Sequence, residues 1–138
     1  MSEFSSYTAL NLINHFLRNN AFTPPTAIYL ALFTGSAGLG NNSPSYEIGA
    51  IGAYTRATFT LGTATAMATA GTSISTADVT FATATATWGT ISHAAIMDAL
   101  TSGNVLMWTP LDSTKLVGNG DQFKVNATQL LVQIGTGG

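Results

Sequence analysis

The spacing of apolar residues changes character along the chain. Over residues 7–18 it is helical: at 100° per residue, Ala9, Leu10, Ile13, Phe16 and Leu17 fall on one face, and Thr8, Asn11, His15, Arg18 and Asn19 on the other. Ser5 or Ser6 can accept a hydrogen bond from a free N–H of the first turn. Asn19 and Asn20 tolerate the left-handed conformation that ends a helix, and Pro24-Pro25 forbids its continuation. The expectation is an amphipathic helix over about 7–18 that lies as a lid on a sheet.

From residue 27 the period shortens. AIYLALFT is β-rich and apolar on both faces, as a central strand of a sandwich would be. GSAGLGNNSPSYEIGAIG, residues 35–52, is a long loop full of breakers, a length that in a compact domain is either functional or disordered. In residues 53–61, Tyr54, Arg56, Thr58 and Thr60 alternate with Thr55, Ala57, Phe59 and Leu61. The low-complexity run over 64–76 predicts a short strand plus a loop. In DVTFATATATW, Thr83, Thr85 and Thr87 alternate with alanine, which suits strand geometry and close approach of a neighbouring sheet or subunit.

Residues 87–111 carry the greatest density of large side chains flanked by turn formers. They predict a core hairpin with strands at about 90–98 and 104–109, turning at Thr101-Ser102-Gly103-Asn104, with Trp88 entering and Trp108 leaving. On that reading Trp108→Ala costs roughly 3–5 kcal/mol. A Gly118-Asn119-Gly120 turn leads to one or two last strands within 123–134 and a flexible GTGG tail. The expected fold is mainly β: a single domain over residues 1–138, a β-sandwich or partly open barrel of short antiparallel strands with one N-terminal α-helix.

Composition narrows the function. Only 7% of the 138 residues are charged, against about 25% in a typical soluble domain. The four basic residues, Arg18, Arg56, Lys115 and Lys124, are scattered, which argues against a nucleic-acid groove. A surface so poor in charge carries little repulsion between copies, so much of it is expected to be covered by other subunits. The chain has no cysteine, which excludes disulfides and thiol catalysis. Neither a membrane-spanning apolar run nor a secretory signal is evident, and the chain is expected to be made in a reducing cytoplasm.

Candidate chemistry is sparse. Ser92, His93 and Asp98 suggest a triad, but neighbours on a strand point to opposite faces, so Ser92 and His93 are not expected to meet. The two histidines lack a metal-ligand spacing, and Asp98, Asp112 and Asp121 stand at or near turns. The glycine-rich stretch after residue 34 lacks a phosphate-loop lysine and opens no helix. One Thr-Ala strand is too little for the stacked rungs of an ice-binding face. No catalytic residue, cofactor or metal is expected.

YTALNLINHF, YLALFTG, YTRATF, VTFATATATWGTISH and DALTSGNVLMWTPL follow in that order over nearly the whole chain. As a series they resemble a family of small tailed-phage virion proteins often labelled tail-fibre-like. The resemblance implies a structural virion role without catalysis. The size, with no repetitive shaft, suits a capsid decoration (cement) protein on the capsid exterior, stabilising capsomer junctions by many modest contacts. The expected partners are the major capsid protein and further copies of the chain, as a trimer, with no nucleic acid or membrane. Asn11, His15, Arg18, Leu39, Tyr46, Thr83 and Thr85 are the expected interface residues. Alternatives are a tail fibre or baseplate component, or a carbohydrate-binding module for host attachment.

Overall fold

The computed structural model describes residues 3–67 and 70–135. Residues 68 and 69 of the Thr-Ala run and 136–138 of the tail lie outside them. The chain runs β1 (Glu3–Phe4), α1 (Ser6–Arg18), β2 (Ile28–Phe33), β3 (Ala57–Phe59), β4 (Thr65–Met67), β5 (Ala70–Ile74), β6 (Val79–Thr80), β7 (Gly89–Met97), β8 (Val105–Val117), β9 (Lys124–Val125) and β10 (Leu131–Gly135). The fold is mainly β. Its strands form open antiparallel sheets ordered β1-β8-β7-β2-β3, β10-β5-β4 and β6-β9.

β2 lies inside the largest sheet, and its two apolar faces serve two separate cores. Leu30 and Leu32 join Trp88, Ile91, Val79 and Phe81 on one side. Ala31 and Phe33 join Leu39, Ala95, Met97 and Val105 on the other. The first core is closed by β6, β9 and residues 81–88, where Phe81 meets Tyr54, Trp88 and Phe123 ring against ring. The second is closed in part by the long loop, whose Leu39 is wholly buried. That loop is packed against the body: Asn42 Nδ2 donates to Asn104 Oδ1 at 2.8 Å, and Val105 N–H donates to Asn42 Oδ1 at 2.7 Å.

The hairpin forms with its turn as expected, but β8 runs on to Val117. The pairing slips between Ile91 and His93, where β8 moves from Lys115 to Pro110, and again between Ile96 and Met97. Such irregularities let a long strand stay paired while it bends. Elsewhere, strands are shorter than alternation suggests. Residues 81–88 form no ladder because their backbone groups bond to several segments: Phe81 N–H to Phe123 O, Ala84 N–H to Asp121 O, and Thr85 N–H to Gly52 O. The 64–76 run makes two strands, β4 and β5, in place of one.

The helix starts and stops where its caps dictate. The Ser5 hydroxyl accepts from Thr8 N–H and donates to Val105 O, and Asn19 closes the helix at φ 56°. The lid expectation fails: α1 buries none of its residues, and it reaches the body at β1 and β8.

Candidate functional site

The amphipathic face of α1 is turned away from the body. Leu10, Ile13, Phe16 and Leu17 are 61, 51, 73 and 79% exposed. On the other side of the helix, the Thr8 hydroxyl is buried and has no hydrogen-bond partner. A helix that met only water would gain by the opposite orientation, because burying an unbonded hydroxyl and wetting leucine both cost free energy. The outward stripe is therefore a surface feature that calls for a partner.

The polar residues of this helix are engaged locally. Asn11 Nδ2 donates to Tyr7 O at 2.9 Å, Arg18 Nη1 to Asn14 Oδ1 at 3.3 Å, and a ring nitrogen of His15 lies 3.2 Å from Asn20 O. His15 and Arg18 remain exposed and Asn11 is half-buried. Of the other expected interface residues, Tyr46, Thr83 and Thr85 are exposed, though Thr83 and Thr85 lie outside any strand. Leu39 has no surface to offer a partner. It anchors the first part of its loop, because an apolar side chain amid glycine and asparagine gains by entering the core, as Ile48 of the same loop does in the other core.

Beneath these surfaces lies a polar hub that scattered basic residues gave no hint of. Arg56, 7% exposed, donates from Nε to Glu47 Oε1 at 2.7 Å and from Nη2 to Glu47 Oε2 at 2.6 Å. Its Nη1 donates to the Ala99 and Ser102 carbonyls at 2.6 and 2.7 Å. One guanidinium thus ties the long loop to the β7–β8 turn, as its rigid fork of donors allows. Burial works against that charge, but the Glu47 contact outweighs it and holds the Arg56 pKa above its ordinary value. The Tyr54 hydroxyl donates to Glu47 Oε1 at 3.1 Å and accepts from Leu32 N–H at 3.0 Å. Burial, with the nearby Glu47 charge, pushes the phenol well above the usual tyrosine range. The turn is pinned further by Asp98, which accepts from Asn104 N–H at 2.6 Å and Asn104 Nδ2 at 2.8 Å.

Ser92 and His93 do meet, contrary to expectation: Ser92 Oγ lies 2.8 Å from His93 Nδ1. Strict alternation fails at the slip after Ile91, so that Ile91 and Ala94, three residues apart, line the same core. Asp98 is bound to Asn104, so Ser92, His93 and Asp98 do not form a triad. A groove of about 460 Å³ runs beside β8 and the C-terminal strands, with Leu111, Phe123 and Leu130 among its lining and Asp112, Gln129 and Gln133 as polar groups. Trp88 is buried with its indole N–H on Gly52 O, whereas the half-buried Trp108 lines the groove. Among the described residues, no group of three or more His, Asp or Glu is placed to hold a metal ion.

Comparison with known proteins adds the context. Residues 3–133 match the family model described as Podophage GP4 fiber I protein gp80. No curated protein matches the sequence.

Proposed function

Since the chain belongs to the podophage GP4 fiber I protein gp80 family and is thus a phage structural protein, we propose that it is a subunit of the fibre apparatus, held in the particle by the outward face of α1. The exposure of Leu10, Ile13, Phe16 and Leu17 carries this reading. A β body with both its cores filled needs no ligand to be stable, whereas the helix stripe needs a protein surface. The low charge of the chain acts in the same direction, because neighbours can approach without paired charges to desolvate.

A second placement, as a decoration protein bound to the major capsid protein on the capsid exterior, is favoured by the form of the β body. Its mostly short strands in small open sheets suit a clamp over a junction better than a shaft that reaches a receptor. Cryo-electron microscopy of the intact particle, with this chain traced into density, separates the two. Density at the fibres supports the first placement, and regular copies on the head shell replace it with the second. Absence from the particle overturns both.

A further inference from the structure

We propose that the groove beside β8 is a saccharide site that takes a short neutral glycan. The inference goes beyond the structural role proposed above, since it holds wherever in the particle the chain sits. Its first support is the irregularity in the ladder. Ile91 pairs with Lys115 and His93 with Pro110, so residues 111–114 of β8 stand opposite Ser92 alone. A bulge of this kind gives up ladder bonds and re-aims side chains, and here it sets Leu111 and Asp112 together in the groove wall. It also blunts the strand edge, because an extended peptide needs an unbroken row of N–H and C=O groups to add to a sheet.

The lining defines the chemistry of the occupant. Leu111, Phe123 and Leu130 are half-buried and form apolar walls. Phe123 is held edge to face on Phe81, with ring centroids 5.6 Å apart, so the wall includes an aromatic ring in a fixed orientation. The polarised C–H groups of a sugar ring suit the electron-rich face of such a ring. Beside these walls Asp112, Gln129 and Gln133 are exposed, and their side chains make no hydrogen bond or ion pair among the described residues. A carboxylate accepts, and a carboxamide both donates and accepts, which matches neighbouring hydroxyls of a sugar. Charge sorts the remaining ligands. Among the described residues the lining holds no Lys, Arg or His and one carboxylate, so phosphates, uronates and other anions meet repulsion. An acyl chain would cover the three polar groups without bonding them. At about 460 Å³ the groove falls within the range of about 300–1,000 Å³ typical of small-ligand sites.

The test is a printed array of neutral and acidic oligosaccharides probed with the full chain, followed by nuclear magnetic resonance titration of the strongest binder into isotope-labelled protein. Neutral members should bind and acidic ones should not. In the titration the side-chain amide signals of Gln129 and Gln133 should move. Asp112→Ala, at an exposed site, should weaken binding about ten-fold with an unchanged circular dichroism spectrum, the loss of one hydrogen bond to a charged group. Silence across the array overturns the proposal, and so does a preference for acidic saccharides. Binding that survives Asp112→Ala, or that moves neither glutamine, lies elsewhere on the molecule and also overturns it. Hydrogen exchange tests the other occupants. In the purified chain the backbone of residues 111–114 should exchange fast, and it should slow when the saccharide is added. Protection there before any saccharide is added would mean that a peptide or a second copy fills the groove, and would overturn the proposal.

Discussion

At the scale of single residues, the Glu47–Arg56–Tyr54 hub sets the clearest expectations. Glu47→Ala leaves a buried guanidinium without its counter-charge, and should cost about 3 kcal/mol, read as a lower urea midpoint. Tyr54 gives a pH dependence. Its folded pKa lies above the unfolded value of about 10, so the fold binds the phenolic proton more tightly than the unfolded chain. The stabilisation is thus complete below about pH 10 and declines as the pH rises further. The parent should lose urea resistance as the pH rises above about 10, and Tyr54→Phe should flatten that part of the curve while lowering the plateau through its lost hydrogen bonds. Gly38 is constrained in another way. At φ +82°, an added Cβ would overlap the Ser43 carbonyl oxygen, so Gly38→Ala should cost about 1–3 kcal/mol or force the long loop to shift. None of these roles is visible in the sequence. An arginine in an alternating stretch reads as a solvated face unless one knows that a carboxylate nine residues earlier folds back onto it.

At the scale of elements, local rules did well wherever the structure is locally controlled. The Ser5 cap, the Asn19 stop and the turn at Ser102-Gly103 act over a few residues, and all three stand where the chain signals them. Ser5 has a tertiary part too, since its hydroxyl also donates to Val105 O, 100 residues away. Ser5→Ala should therefore cost more than the roughly 1 kcal/mol of an isolated cap, and thermal denaturation can measure it. The tryptophans separate along the same line. Trp88, 5% exposed and packed on Tyr54 and Phe81, should cost about 3–5 kcal/mol as Trp88→Ala. Trp108 is half-buried with an unbonded indole N–H, so Trp108→Ala should cost clearly less than Trp88→Ala and less than the roughly 3–5 kcal/mol expected of a core residue. Strand alternation failed where tertiary bonds took the backbone. Residues 81–88 bond to several segments, and the slip in β7 turns Ser92 towards His93.

At the scale of the whole molecule, the sheets provide two filled cores and leave α1 as an apolar rib on the outside. By itself the sequence determined the mainly β class, the two-sided central strand, the caps and turns, and the apolar stripe of the helix. These follow from periodicity, φ preferences and hydrogen-bonding groups a few residues apart. Only the tertiary structure decided which way the stripe faces, that Leu39 anchors its loop, and that Glu47 meets Arg56. The hydrophobic effect rewards burial without specifying against what. A helical stripe reads the same in a chain that covers its own sheet and in one that waits for a neighbour, and only the filled faces of β2 show that this sheet had no room for it.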